Sequence, residues 1–178
     1  MDQVVTRIDA TGGILVGHDG SRPSAQAVRW AAALAARLDV PLHVVRTWAL
    51  SSAPRPKTWR TGFVPPLKDF EAAVLERLQR DVEALHLSNV EVTCRVLHGS
   101  AARRLVESSA GAEMLVVGSR GVGGFMGVVL GSTALQVAGH AKCPAVVVPV
   151  NGDDDPAEPD AGLRAQSRPD GTAGVDAD

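Results

Sequence analysis

Three short stretches of this chain are apolar without alternation: Ile14-Leu15-Val16, Met114-Leu115-Val116-Val117 and Ala145-Val146-Val147-Val148. A strand that faces water on one side alternates apolar and polar residues. A strand covered on both sides does not, and covered strands of this kind belong to parallel sheets flanked by helices. The remaining chain supplies the helices. After Ser21-Arg22-Pro23-Ser24, a helix start with proline tolerated in the first turn, the apolar residues Ala27, Val28, Ala31, Leu34, Ala35 and Leu38 recur at helical spacing. Pro41 ends that helix, and Leu42 to Val45 opens a second strand running towards Trp48. Leu67, Phe70, Val74, Leu78, Val82 and Leu85 mark a long amphipathic helix. Val90, Val92, Cys94 and Val96 alternate as a third strand, and short helices are predicted over 101–109 and 132–141. Strands alternating with helices imply right-handed crossovers and a mostly parallel sheet with helices on both faces. Aromatic residues make up only 3% of the chain, with no Tyr, so Val, Leu and Ala must fill the core.

Both ends differ from this pattern. Residues 1–11 read as a loose leader. Residues 151–178 hold eight acidic and two basic residues, with Pro, Gly and Ala but almost no large apolar side chain. Such a segment buries too little surface to offset its ordering entropy, and it reads as a disordered acidic tail. The first 150 residues then hold sixteen basic and twelve acidic residues, which suits a small anionic ligand. That excess is too weak for a nucleic-acid binder, where a strong cationic stripe is expected. The polar N-terminus has no signal-peptide core, and no apolar run is long enough for a membrane helix. The expectation is a cytoplasmic protein in which Cys94 and Cys143 are buried free thiols. Between Ala49 and Pro66, four prolines among Ser, Thr and Arg mark a long connection, a candidate lid or partner surface.

In an open sheet of this class, ligands bind beyond the carboxyl ends of the strands. Two segments with suitable chemistry fall there. One is the Val16-Gly17-His18-Asp19-Gly20-Ser21 turn. The other runs from Gly118 to Thr133 and contains the glycines 118, 121, 123, 124, 127 and 131. Glycine lets a phosphate approach backbone amides with no Cβ in the way. The helix opening at Gly131-Ser132-Thr133 adds free N–H groups and a dipole that favour an anion. Ser132 or Thr133 also fits as its N-cap, and Thr133 with Gln136 has capping-box spacing. Neither a Walker A loop nor a G-x-G-x-x-G turn is present. His18, His43, His98 and His140 lack metal-ligand spacing. Asp19 has two readings, a ligand contact or a carboxylate capping the next helix.

The spacing Gly118-x2-Gly121-x9-Gly131-Ser132, the VGHDGS turn and the HAKCPAVVVPV ending resemble the ATP-binding branch of the universal stress protein family, over about residues 12–150. That resemblance implies an adenine-nucleotide alpha-hydrolase-like fold. It implies a five-stranded parallel sheet in the order 3-2-1-4-5, and a homodimer through the last strand. It further implies ATP with Mg or Mn as the ligand. Asp19 would lie near the ribose and the metal-phosphate end and would touch the metal, and Gly17 would lie near the adenine. Thr47 would supply the backbone contact for adenine, and Gly118, Gly121, Gly131 and Ser132 the phosphate and ribose cradle, with Thr133 adjacent. Arg120 either steers phosphate or is a solvated loop arginine. Arg46-Thr47 stands where relatives often read His-Ala, and Glu113 where an Asp is common. An anion cradle without a placed general base favours binding over turnover. The expected function is a nucleotide-dependent regulator in stress adaptation with an unknown protein partner; the alternative is a slow ATPase or phosphotransfer enzyme using the same pocket.

Overall fold

The computed structural model describes residues 4–121 and 130–149. The elements are β1 (Ile14–Gly17), α1 (Arg22–Leu38), β2 (Leu42–Trp48), α2 (Leu67–Glu83) and β3 (Val92–His98), then α3 (Ala101–Ser108), β4 (Met114–Gly118), α4 (Ser132–His140) and β5 (Ala145–Val148). All neighbouring strands pair in parallel, in the order β3-β2-β1-β4-β5. The apolar runs read from the sequence form the three strands β1, β4 and β5, which lie side by side. The order in which successive strands are added reverses between β1 and β4, so the crossovers on either side of that point leave a crevice at the carboxyl edge.

Side chains alternate between two layers. Ile14, Val16, Leu42, Val44, Val116 and Val148 face α1 and α2, where Ala27, Val28, Ala31 and Ala35 of α1 meet Phe70, Val74 and Leu78 of α2. Alanine on α1 brings that helix close to the middle of the sheet. Leu15, Val45, Leu97, Leu115 and Val117 face the opposite layer, which has Ala102 and Leu105 of α3 with Ala134 and Val137 of α4. The first layer rests on two helices of 17 residues, the second on helices of 8 and 9.

Three expectations need correction. The segment before β1 is not loose where it is described. Val5 donates its N–H to Glu71 and accepts one from His98, the Ile8 N–H reaches Ser108 Oγ, and Ala10 is fully buried. The N-cap of α4 is Gly131, with no side-chain cap, so Ser132 and Thr133 are the first helical residues. The cause lies upstream: Gly131 N–H donates to the Ser119 carbonyl at 2.7 Å, which fixes where the returning chain can begin a helix. Gln136 does not close a capping box but donates to the Ser132 carbonyl. Cys94 and Cys143 are free thiols but only half-buried. The connection 49–66 packs on α2 through Lys57–Glu76, Thr58–Asp69 and Trp59 edge-on to Phe70. No helix among the described residues is long and apolar enough to cross a membrane. The segments 122–129 and 150–178, with the middle of the glycine-rich loop and the acidic tail, lie outside the described residues.

Candidate functional site

The turn after β1 is built by its own hydroxyls. His18 N–H continues the sheet by donating to Val45 O at 2.8 Å, and the chain then leaves it. Asp19 Oδ1 accepts from the Ser21 N–H at 2.9 Å and from Ser21 Oγ at 2.6 Å. Ser21 caps α1 by accepting from Ser24 N–H, and Ser24 Oγ donates back to the Ser21 carbonyl. The capping reading of Asp19 is therefore half right: the carboxylate organises the turn, while Ser21 is the cap. Its second oxygen, Oδ2, lies 2.8 Å from where a Cβ on Gly121 would stand. Thus Asp19 reaches across from the first turn to the rim of the second.

The second turn is closed at its base. Ser119 N–H donates to Val148 O, and Ser119 O accepts from Gly131 N–H. Both ends of the glycine-rich loop are thereby pinned beside the end of β5. A cavity of about 440 Å³ lies between the two turns, within the roughly 300–1,000 Å³ common for small-molecule sites. All nine residues expected at a ligand line it: Gly17, Asp19, Thr47, Gly118, Arg120, Gly121, Gly131, Ser132 and Thr133. None of residues 49–66 does, so the connection after β2 forms no part of the cavity wall.

The structure separates the glycines by what crowds them. A Cβ on Gly17 would stand 3.0 Å from Leu105 Cδ1, and one on Gly118 would stand 3.0 Å from the Pro23 carbonyl. Those two glycines let α3 and α1 close onto the sheet. A Cβ on Gly121 would collide with Asp19, whereas one on Gly131 would make only ordinary contacts. Among the described residues Gly131 therefore has room for a side chain. The cavity also contains His18, which stood in the first turn without an assigned role, and residues that sequence reasoning missed, namely Ser24, Val45, Ala101, Leu105, Val117 and Ala134. Strand alternation would have paired Val45 with Thr47, and helical spacing would have paired Ala101 with Leu105.

The resulting site has an apolar floor of Val45, Leu105, Val117 and Ala134 and a polar rim of Asp19, Arg120, Ser132 and Thr133. The first residues of α3 and α4 and the first turn of α1 border it, each at the positive end of a helix. Burial pushes the His18 imidazole below its ordinary range, against the opposing pull of Asp81 and Asp19, with Arg46 lowering it further. Its Nδ1 and the Trp48 Nε1 are the buried side-chain polar atoms without a partner among the described residues. No cluster of three or more metal-ligating side chains occurs among the described residues. Among the described residues that line the cavity, Asp19 supplies the carboxylate; Mg²⁺ is commonly held by one or two carboxylates together with substrate phosphates.

A five-stranded parallel sheet in this order, carrying a cavity at its carboxyl edge, defines an α/β protein of the adenine-nucleotide alpha-hydrolase-like class. The model of the universal stress protein family matches residues 12–149, and the chain belongs to that family. A universal stress protein of Mycolicibacterium smegmatis is 36% identical over 161 residues, 82% of this chain and 50% of that one. The chain spans about half the length of the curated relatives it matches. A universal stress protein solved in complex with cAMP has a TM-score of 0.55 at 25% identity, covering 79% of this chain and 98% of the other. A family protein of Arabidopsis thaliana solved with AMP bound has a TM-score of 0.51 at 18% identity, covering 83% of this chain and 97% of the other. That second likeness is one of fold.

Proposed function

We propose that this chain binds ATP, with Mg or Mn, in the cavity between the β1 and β4 turns and acts as a nucleotide-dependent regulator in stress adaptation. The observation that carries this reading is convergence. Residues assigned to a nucleotide through the family resemblance come from β1, β2, the β4 turn and the start of α4, yet they border a single cavity. The chemistry agrees with the assignment. The apolar floor suits a purine, Thr47 at the end of β2 suits its edge, and the helix starts with Arg120 suit phosphates. Asp19 would meet the metal-phosphate end. A universal stress protein of similar fold is solved with cAMP, which supports an adenine nucleotide as the ligand class.

Regulation rather than turnover is favoured by the character of the cavity, whose apolar floor and bordering helix starts suit holding a nucleotide. The proposal includes a cytoplasmic setting, an unidentified protein partner and a homodimer. The exposed and half-buried Ala145-Val146-Val147 edge of β5 supports the last, since an apolar edge strand calls for pairing or cover.

The test is mass spectrometry of nucleotide released from the purified chain by mild denaturation, followed by titration with Mg-ATP. ATP near one per chain, with Asp19→Ala folded but weakened at least about tenfold for Mg-ATP, is the expected result. A chain that carries none and takes up none when ATP is added would leave a nucleotide-free interaction module. ATP hydrolysis that follows the chain through purification and disappears in Asp19→Ala would favour the enzyme reading instead.

A further inference from the structure

Arg46 does not line the cavity, yet it stands beside the turn that does. It stands on β2 one residue before Thr47, on the α1/α2 side of the sheet. Its guanidinium turns both terminal nitrogens towards Gly20: a Cβ there would stand 3.3 Å from each and 3.6 Å from the central carbon. Gly20 is thus required twice, for its φ of +90° and for the room it leaves. One of those two nitrogens, Nη1, is also anchored on α2. Arg46 donates to Asp81 Oδ2 at 3.1 Å, and Asp81 Oδ1 accepts from Arg77 Nε at 3.1 Å. The Arg46 and Asp81 side chains are 20% and 22% exposed, so solvent screens this pair less than an open surface pair. The buried His18 ring senses Asp81, Asp19 and Arg46 together, which places groups from α2, the turn and β2 around one side chain.

We propose that Arg46 is a positioning residue for nucleotide binding: anchored on α2 by Asp81, it braces the Gly20 turn and thereby holds Asp19 towards the cavity. This inference rests on the nucleotide reading above. Its logic is mechanical. Asp19 and Ser21 are tied to each other, but the residue between them is glycine, the most pliable in the chain. A forked cation standing in the space into which that residue would move removes the freedom which hydrogen bonds within the turn leave. Site geometry generally depends on such supporting contacts. Lysine carries the charge but lacks the flat, forked shape, so it cannot substitute.

Two measurements on the full chain test the brace. Hydrogen exchange at the Gly20 and Ser21 amides, read without ligand, should speed up in Arg46→Gln and in Asp81→Asn. Calorimetry with Mg-ATP should show Arg46→Gln weakened about tenfold, with Arg46→Lys failing to restore it, while adenosine binding stays within about twofold. In an Asp19→Ala background, Arg46→Gln should add less than about twofold, because it acts through Asp19. Unchanged exchange, Mg-ATP affinity equal to that of the unmodified chain, equal losses for adenosine and Mg-ATP, or losses that multiply with Asp19→Ala would each overturn the brace. An unmodified chain that binds no Mg-ATP at all would overturn the nucleotide reading itself, and with it this role for Arg46.

Discussion

The two faces of the sheet are made from the same strands but are finished differently. On one face α1 and α2 form a long cover, and Ile14, Val16, Leu42 and Val44 are all sealed beneath it. On the other, two short helices cover less, and Val45, Leu105, Val117 and Ala134 serve both as core and as cavity floor. The segment from Val5 to Ala10 adds to that thinner layer. The difference shows how one small domain can stay folded and still keep an opening. Packing on the closed face supplies stability, and the open face leaves apolar surface for a ligand to cover.

The sharpest test of this contrast is a pair of matched truncations. Leu42→Ala, on the closed face, leaves a sealed cavity and should cost about 2–5 kcal/mol in urea unfolding. Leu105→Ala enlarges a space that already opens to solvent, so only the transfer term is lost, roughly 2 kcal/mol. The Leu105 variant should also change nucleotide affinity, while folded Leu42→Ala protein keeps it. A larger stability loss at Leu105 than at Leu42 would end the distinction between the faces.

A smaller effect is expected at Gly17. Its added Cβ would meet the flexible end of Leu105, so Gly17→Ala should cost about 1 kcal/mol. It should also narrow the cavity floor and weaken nucleotide binding. Binding that survives unchanged would place the ligand away from that floor.

The smallest effect concerns pH. His18 and His43 are both held below the ordinary imidazole value near 6.5, in each case chiefly by burial. A depressed folded-state value means the unfolded chain binds the proton more readily. Stability is therefore full above about pH 6.5 and declines as pH falls below it. Replacing His18 with Asn should flatten that decline more than the same change at His43, since His18 is only 5% exposed and His43 is half-buried. Equal slopes in acid unfolding of the two variants would remove the burial argument.

Much of this architecture was readable in the letters because its signals are local. Runs such as Met114 to Val117 announce strands covered on both faces, and the spacing Gly118-x2-Gly121-x9-Gly131 marks the second turn. What escaped depends on contacts distant in sequence. Nothing near Val5 hints that His98 and Glu71 will hold it, and Ile8 finds Ser108 one hundred residues away. The helix α4 starts at Ser132 as expected, but its cap was misassigned because a bond from Gly131 to Ser119 overrides the preference of a hydroxyl for the cap. Arg46 looked like a departure from a family pattern, and its partner Asp81 lies 35 residues further along.

The bond from Gly131 N–H to Ser119 O, with Ser119 itself fastened to Val148, has a consequence for how such chains diverge. It makes the intervening stretch an exchangeable cassette. Between two points that the frame already holds together, each doubling of the connecting length costs only about 0.6 kcal/mol. Sequences of this architecture can therefore trade one insert for another between the same two clamps, altering what they recognise while the frame stays intact.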